Sequence, residues 1–339
     1  MEEVWLNIKE LIEHIRTSAQ LAAVLEASGW PKPGNVHRTA SRLDARYEHF
    51  LAGSIALGSP IGEAAMKGAM AARDRLEISR IGIGRIVRKA VQAVSRSHSG
   101  GNTHLGICLL FVPLAAAAAK TYIERKKIEP KGLKRSIGEI MQLTTHIDAV
   151  EVYRAISLVS SPHVLGRIEN SSLPDLYDNQ AERKILKEKI SLFRVMKEAA
   201  SYDTIARELV TAMGISFDVG YTNLIETFKS TNDINIATVH TFLRILSKVP
   251  DTLIARKVGL RKASDVRKAV RIGLRETRWI SGMAGKCLDM GGLTTKEGTD
   301  LIWEFDRKLQ SLGRDYNPGT TADLTAAALM IALLSGLKI

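Results

Sequence analysis

Apolar residues recur at spacings of three and four along most of this 339-residue chain, for example at Ile8, Leu11, Ile12 and Ile15. This is the period of an α-helix with one buried face. Sustained apolar and polar alternation between hairpin dipeptides is absent from the sequence, so a parallel sheet or a β-sandwich has no support. The sequence therefore predicts an all-α fold, with residues 1–339 forming a single globular multi-helix domain.

The same period predicts where further helices lie. The expected stretches are roughly 44–57, 62–78, 83–97, 105–124, 133–159, 182–213, 218–230, 235–248, 263–278, 296–312 and 321–337. Two stretches interrupt the pattern: Ser160 to Asn179 contains Pro162, and Gly282 to Gly298 contains five glycines. Structureless connections this long usually have a function in compact domains. Each is interpreted either as a binding loop or lid, or as a surface excursion packed on the helices.

Cysteine content and the apolar runs limit the class of protein. Cys108 and Cys287 are the only cysteines, and neither has a Cys or His at metal-ligand spacing, so two reduced thiols are expected. The longest apolar runs, Leu105 to Ala119 and Ala322 to Leu337, are shorter than the roughly 18 to 20 residues that span a bilayer. They are predicted to be buried core helices without membrane contact. The N-terminal residues lack a signal-peptide pattern, so a cytoplasmic location is expected.

The chain is basic, with a formal net charge of +12, and the excess is uneven. Eleven Lys and Arg stand against three Asp and Glu between Arg244 and Arg278. This segment is either a solvated basic face or a surface that attracts phosphate. A nucleic-acid-binding protein is the alternative of another class. It is disfavoured because aromatic residues make up 5% of the chain and do not interleave with the basic residues.

Three polar, glycine-containing motifs carry the chemistry: Lys32 to Arg38, Gly101 to Gly106, and Asn317 to Leu324. They adjoin apolar helical segments, so they are expected at helix ends. A helix N-terminus has unpaired N–H groups and a positive dipole end, which attract phosphate. The candidate substrate-binding residues in the motifs are Lys32, Asn35, His37, Arg38, Asn102, Thr103, His104, Asn317, Gly319, Thr320 and Thr321.

Each motif also has a purely structural interpretation. Thr320 can cap the last helix, with Asp323 in its first turn, or these residues can hold phosphate and a magnesium ion. Asn102 or Thr103 can cap the helix that follows the central motif. His104 is either a hydrogen-bonded core residue or a donor to phosphate or ribose.

The three motifs resemble those of the triphosphoribosyl-dephospho-CoA synthase family. Its hallmarks are the segments K-P-G-x-V, G-x-N-T-H-x-G and P-G-x-[ST]-A-D-L, and all three occur here in that order. The resemblance extends to Glu26, Asp148-Ala149, Tyr202 to Ala206, and Asp251 to Arg256, so it covers nearly the whole chain.

This resemblance implies an all-helical transferase that uses ATP as a sugar donor. A hydroxyl of dephospho-CoA attacks the anomeric carbon of the ATP ribose, adenine leaves, and the triphosphate stays on the transferred ribose. Carboxylates can stabilise the oxocarbenium-like centre, and magnesium can neutralise the phosphates. Asp148, Asp251 and Asp323 are the candidates for general base or metal ligand, with Asp323 and Asp148 as the magnesium ligands. Arg256 joins the substrate-binding candidates.

The chain departs from the family pattern at three places. His37 stands where many members have Asp, Leu105 where they have Lys, and Thr320-Thr321 where they have Gly-Ser. A different acceptor from another coenzyme pathway is therefore the second enzymatic hypothesis. The sequence leaves a homo-oligomer open.

Overall fold

The computed structural model describes residues 7–42, 44–161, 165–169 and 173–339. Its α-helices are α1 (Ile8–Ser28), α2 (Tyr47–Ala56), α3 (Gly58–Ala71), α4 (Ile83–Ser97), α5 (Leu105–Arg125), α6 (Pro130–Gln142), α7 (His146–Val159), α8 (Ala181–Lys187), α9 (Leu192–Ala199), α10 (Thr204–Val210), α11 (Thr222–Thr231), α12 (Ile234–Lys248), α13 (Thr252–Leu260), α14 (Val266–Glu276), α15 (Arg278–Asp289), α16 (Lys296–Ser311) and α17 (Gly319–Leu334). A π-helical turn, Ser216–Tyr221, leads into α11, and short 3-10 turns cover Ile78–Arg80, Gly292–Thr294 and Arg314–Tyr316. Over these ranges the chain forms two isolated bridges and no sheet, so the all-α prediction is confirmed.

Helix α5 lies at the centre of the larger core. It packs against α1, α3, α4, α6 and α17, and its alanine run Ala115 to Ala119 is fully buried. The small side chains let α3 approach closely, because a Cβ on Gly68 would lie 2.0 Å from the carbonyl oxygen of Ala116. A smaller apolar cluster, which includes Phe242 and Phe305, joins α12, α13, α15 and α16.

Helix α5 is longer than the apolar run suggested. Among the residues described it is the one helix with the length and composition to cross a bilayer, and 89% of its apolar window is buried inside the protein. Burial against the surrounding helices accounts for its composition, as expected for a core helix.

The predicted break from Gly282 to Gly298 is wrong in its first half, because α15 continues to Asp289. Gly282 and Gly285 lower helix propensity, but Ile280, Ala284 and Cys287 bury one face of α15, which packs against α12. This packing outweighs the propensity.

Other helix boundaries also differ from the prediction. The stretch 133–159 divides into α6 and α7, because Thr145 forms a capping box with Asp148. The stretch 182–213 divides into α8, α9 and α10, with Ser191 and Asp203 as side-chain caps. Helix α13 was not predicted, since it is only nine residues long.

Candidate active site

The N-termini of α5 and α17 meet at Asp323. Its carboxyl accepts a hydrogen bond from the backbone N–H of Ile107, in the first turn of α5. A Cβ on Gly106 would lie 2.0 Å from Oδ2 of Asp323, so only glycine allows this approach. The central and C-terminal motifs are therefore in direct contact.

Asp323 faces a cavity of about 250 Å³ between these helix ends. Most of its walls are apolar. Its polar or glycine lining comes from Asn102, Gly106, Tyr153, Ser160, Gly166, Asp175, Tyr202, Asp203, Arg256, Thr320 and Asp323. Leu105, one of the departures from the family pattern, also lines it.

The described part of the predicted loop Ser160 to Asn179 contributes to this cavity through Leu165, Gly166, Ile168 and Asp175. Asp175 holds the loop together, because its carboxylate accepts the N–H groups of Ile168 and Tyr177, each at 2.9 Å. The described part of the loop therefore forms one wall of the cavity. Pro162 lies outside the described residues.

The pKa of Asp323 is raised well above that of an ordinary aspartate. Burial is the largest cause, and the negative charges of Glu26, Asp251 and Asp203 add to it. The hydrogen bond from Ile107 opposes the rise. Asp323 is therefore ready to hold a proton, or a cation in its place.

Lys32 interacts electrostatically with Asp323 but does not line the cavity. Its fully buried ammonium is paired with the carboxylate of Glu26 and donates to the Glu26 carbonyl oxygen at 2.6 Å. Burial lowers the pKa of Lys32 and raises that of Glu26, and their ion pair opposes both shifts. Lys32 was predicted to bind substrate, but its ammonium is bonded to Glu26 inside the protein.

The rest of the first motif packs on α16 and on the third motif. The N–H of Gly34 donates to Asp306 at 2.9 Å, and His37 Nε2 lies 3.3 Å from the same carboxylate. Asn35 donates to the side chain of Asn317 at 2.9 Å. Arg38 is exposed and bonds the carbonyl of Ser28 at 3.0 Å. None of Asn35, His37 and Arg38 lines the cavity.

In the central motif, Asn102 both bonds the first residue of α5 and faces the cavity, while the N-cap position is taken by His104 without a side-chain cap. The Oδ1 of Asn102 accepts the N–H of Leu105 at 3.1 Å. His104 is buried between Ser54 and Thr103, 3.2 Å and 2.7 Å from their hydroxyls. Burial, with a smaller effect of His98, lowers the pKa of His104 to about 3. Its contacts, and those of Thr103, are those of a structural residue.

Asp251 links α13 and α17. One carboxylate oxygen caps α13 through the N–H groups of Leu253 and Ile254, and the other accepts the N–H and hydroxyl of Thr321, both at 2.8 Å. The expected cap by Thr320 is wrong, because α17 starts at Gly319 without a side-chain cap of its own. With four donors on its carboxylate, Asp251 has the contacts of a structural residue.

The third motif reaches the cavity through two residues, Thr320 and Asp323. Gly319 lets α17 begin against Leu253, since a Cβ there would lie 2.8 Å from that side chain. Thr321 faces Asp251 and is buried.

Asp148 is placed outside the cavity. Its carboxylate accepts the N–H of Gly84 at 2.9 Å and the N–H of Thr145 at 2.8 Å, where α4 crosses α7. A Cβ on Gly84 would lie 2.2 Å from the Asp148 carbonyl oxygen, so these helices are in backbone contact. The family-like residue Asp148 therefore has a role in helix packing. It does not lie beside Asp323 at the cavity.

Asp203 is the carboxylate that the sequence reasoning left out of the site. It caps α10 through the N–H of Ala206 at 3.0 Å, pairs with Arg256, and lines the cavity. It lies in one of the segments that resemble the family, and this was the signal that could have identified it.

Arg256, which was predicted to bind substrate, is 6% exposed and lines the cavity. Its Nε has no hydrogen-bond partner among the described residues. A buried donor of this kind is costly unless a ligand or water pairs with it.

No three His, Cys, Asp or Glu side chains in the described ranges form a metal cluster. Magnesium usually takes one or two protein carboxylates and completes its shell with water and substrate phosphate. Asp323 and Asp203 line one cavity, and the negative charge of Asp203 is one cause of the raised pKa of Asp323. The cavity therefore offers the one or two carboxylates that such an ion takes from a protein.

Comparison with known proteins identifies the family of this chain. A family model described as ATP:dephospho-CoA triphosphoribosyl transferase matches residues 12–338. A crystal structure from Archaeoglobus fulgidus, provisionally assigned as a triphosphoribosyl-dephospho-CoA synthase, is similar with a TM-score of 0.55 and 26% identity. The match covers 83% of this chain and 99% of that one. No curated protein matches significantly. The chain belongs to the ATP:dephospho-CoA triphosphoribosyl transferase family.

Proposed function

We propose that this chain carries out the reaction of its family in the cavity beside Asp323. A hydroxyl of dephospho-CoA attacks the anomeric carbon of the ATP ribose, the bond to adenine breaks, and the triphosphate stays on the transferred sugar. Family membership favours dephospho-CoA over an acceptor from another pathway, and it disfavours the nucleic-acid-binding alternative.

Asp203 is proposed to stabilise the positive charge that develops at the anomeric carbon. Arg256 and the N-terminus of α10 hold its carboxylate in one orientation. A fixed carboxylate at the cavity wall stabilises an oxocarbenium-like transition state without reorganising during the reaction. The unpaired Nε of Arg256 is a ready donor to substrate.

Asp323 is proposed to accept the proton of the attacking hydroxyl. A carboxyl whose pKa is raised by burial is a stronger base than an ordinary aspartate, which suits general base catalysis. Asp323 and Asp203 would also hold magnesium, which would supply positive charge for the phosphates. Thermal shifts separate the two roles of Asp323. If magnesium alone raises the melting temperature of the wild type but not of Asp323→Asn, Asp323 is a magnesium ligand. If the variant loses turnover while magnesium binding is unchanged, Asp323 is the base.

The observation that carries the proposal is the contact between Asp323 and the N-terminus of α5, two motifs that meet at one cavity. The direct test is release of adenine from ATP, followed by chromatography, with dephospho-CoA as acceptor. Adenine should appear only when both substrates are present, in equal amount to the transferred product. Binding of ATP without adenine release, with every acceptor tried, would refute the proposal.

The substitution Gly106→Ala tests the same contact. The new Cβ would lie 2.0 Å from the Asp323 carboxylate and must displace it, and a displacement of about 1 Å can cost about 100-fold in rate. Gly101→Ala in the same motif is the matched control, since its Cβ would meet the nearest atom only at 3.5 Å. Equal rates of adenine release in both variants would contradict the assigned site.

A further inference from the structure

A second cleft adjoins the cavity beside Asp323. Its volume is about 480 Å³, and Asn102, Ser160 and Leu253 line both spaces. Because the two share part of their walls, one extended ligand can occupy both.

The second cleft is basic. Its charged lining consists of Arg42, Lys257, Arg261, Arg314, Asp44 and Asp315. The four cations come from three separate segments: the loop before α2, helix α13, and the turn before α17. Two of them belong to the basic segment from Arg244 to Arg278, so part of that charge faces a cleft.

The positive charge in this cleft is only partly neutralised. Lys257 is half-buried, its pKa is lowered by burial and by Arg42, and it donates to the carbonyl of Arg314 at 3.3 Å. Arg42 is 3.8 Å from its partner Asp44, while Arg261 pairs with Asp315 at 2.5 Å. An anion with several oxygens can bond these cations at the same time and reduce the repulsion between them.

The two spaces have opposite electrostatic character. Carboxylates outnumber cations three to one in the first, which Asp175, Asp203, Asp323 and Arg256 line, whereas cations outnumber carboxylates four to two in the second. A nucleotide has the same polarity along its length, with a sugar that becomes cationic during transfer and an anionic phosphate chain.

We propose that the basic cleft formed by Arg42, Lys257, Arg261 and Arg314 binds the phosphate chain of a nucleotide substrate, while the reacting ribose lies beside Asp323. This inference rests on the proposed function, because it assigns a place to one part of that reaction's substrates. Both the triphosphate of ATP and the diphosphate of dephospho-CoA have the required chemistry.

The test is calorimetric titration of the full chain with inorganic tripolyphosphate, ATP and dephospho-CoA in separate experiments. Lys257→Met keeps the apolar stem and removes the charge, and Arg261→Gln and Arg42→Gln remove two further cations. Each variant should weaken tripolyphosphate binding roughly 10- to 100-fold, as expected for lost hydrogen bonds to a charged group. Whichever nucleotide weakens in parallel is the one whose phosphates occupy the cleft.

Lys268→Met and Arg271→Gln are the matched controls. Both residues are exposed on α14 in the same basic segment, and neither lines either space. Equal weakening in controls and cleft variants would mean general charge attraction, and unchanged affinity in the cleft variants would mean no phosphate site. Either result overturns the proposal. Arg261 is exposed, so its variant provides the test even where Lys257→Met unfolds.

Failure of this inference is distinguishable from failure of the reaction. Tripolyphosphate binding that depends on the cleft, in a protein that never releases adenine, would support the cleft and refute the transferase. If the protein releases adenine and all three cleft variants bind ATP and dephospho-CoA as tightly as the wild type, the transferase is supported and the cleft is refuted.

Discussion

Among single residues, Asp323 and Asp148 have similar sequence contexts but different surroundings in the folded protein. Both lie near the N-terminus of a helix and both are buried or nearly so, but only Asp323 faces the cavity. The carboxylate of Asp148 accepts the N–H groups of Gly84 and Thr145. The two should therefore respond differently to the same Asp→Asn change.

We expect Asp323→Asn to abolish adenine release and to leave the melting temperature unchanged or higher, because it removes a buried ionisable group. Asp148→Asn should lower stability by about 1 to 3 kcal/mol, since it weakens buried hydrogen bonds and a helix cap, and should keep kcat/KM. Chromatographic rates and urea denaturation measure the pair. Retained turnover in Asp323→Asn would contradict its assignment.

His104 should make stability depend on pH. Its pKa is about 3 in the folded protein, below the value of about 6.5 in an unfolded chain. The unfolded state therefore binds an extra proton between these values, and the contribution of His104 is complete above pH 6.5 and lost as the pH falls. The loss should reach about 2 kcal/mol at pH 5.

The measurement is urea denaturation from pH 7.5 to pH 4.5 on the wild type and His104→Gln. The variant keeps hydrogen-bonding groups near Ser54 and Thr103 and lacks the titration, so its stability should fall less steeply with acid. Parallel profiles would show that His104 does not titrate as its burial requires.

At the level of elements, the position of α17 depends on another helix. Asp251, the cap of α13, also accepts the N–H and hydroxyl of Thr321 and so takes the place of the missing cap on α17. Because α17 carries Asp323, this carboxylate helps to position the site without touching the cavity.

Asp251→Ala should lower stability by about 2 to 4 kcal/mol, because it leaves several buried donors unpaired at two helix N-termini. Asp251→Asn keeps acceptor capacity on one oxygen and should cost less. Denaturant unfolding measures both, and ATP titration of the folded fraction reports on the site. A loss below about 0.5 kcal/mol in the alanine variant would exclude the linking role.

Across the whole molecule, helix α12 connects the larger core with the smaller apolar cluster. Helix α12 packs against α17 of the larger core and also contributes Phe242 and Leu246 to the smaller cluster. If the chain is the single domain that the sequence predicts, calorimetry should show one unfolding transition with equal calorimetric and van't Hoff enthalpies. Two transitions would indicate that the smaller cluster unfolds separately. The cytoplasmic location and the oligomeric state stay predictions.

The sequence by itself determined the all-α class, the family and the three motifs around Asp323, because helical periodicity and short helix-end motifs are local properties. It also identified Arg256. Tertiary structure alone decided which polar residues face the cavity. Lys32, His37, His104 and Asp251 have the residue types of a binding site, but each is already bonded within the protein. The partner of Lys32 is the nearby Glu26, whereas His37, His104 and Asp251 have partners from distant segments. Which side chain stays free for a ligand depends on how distant helices pack, and spacing along the chain does not encode that.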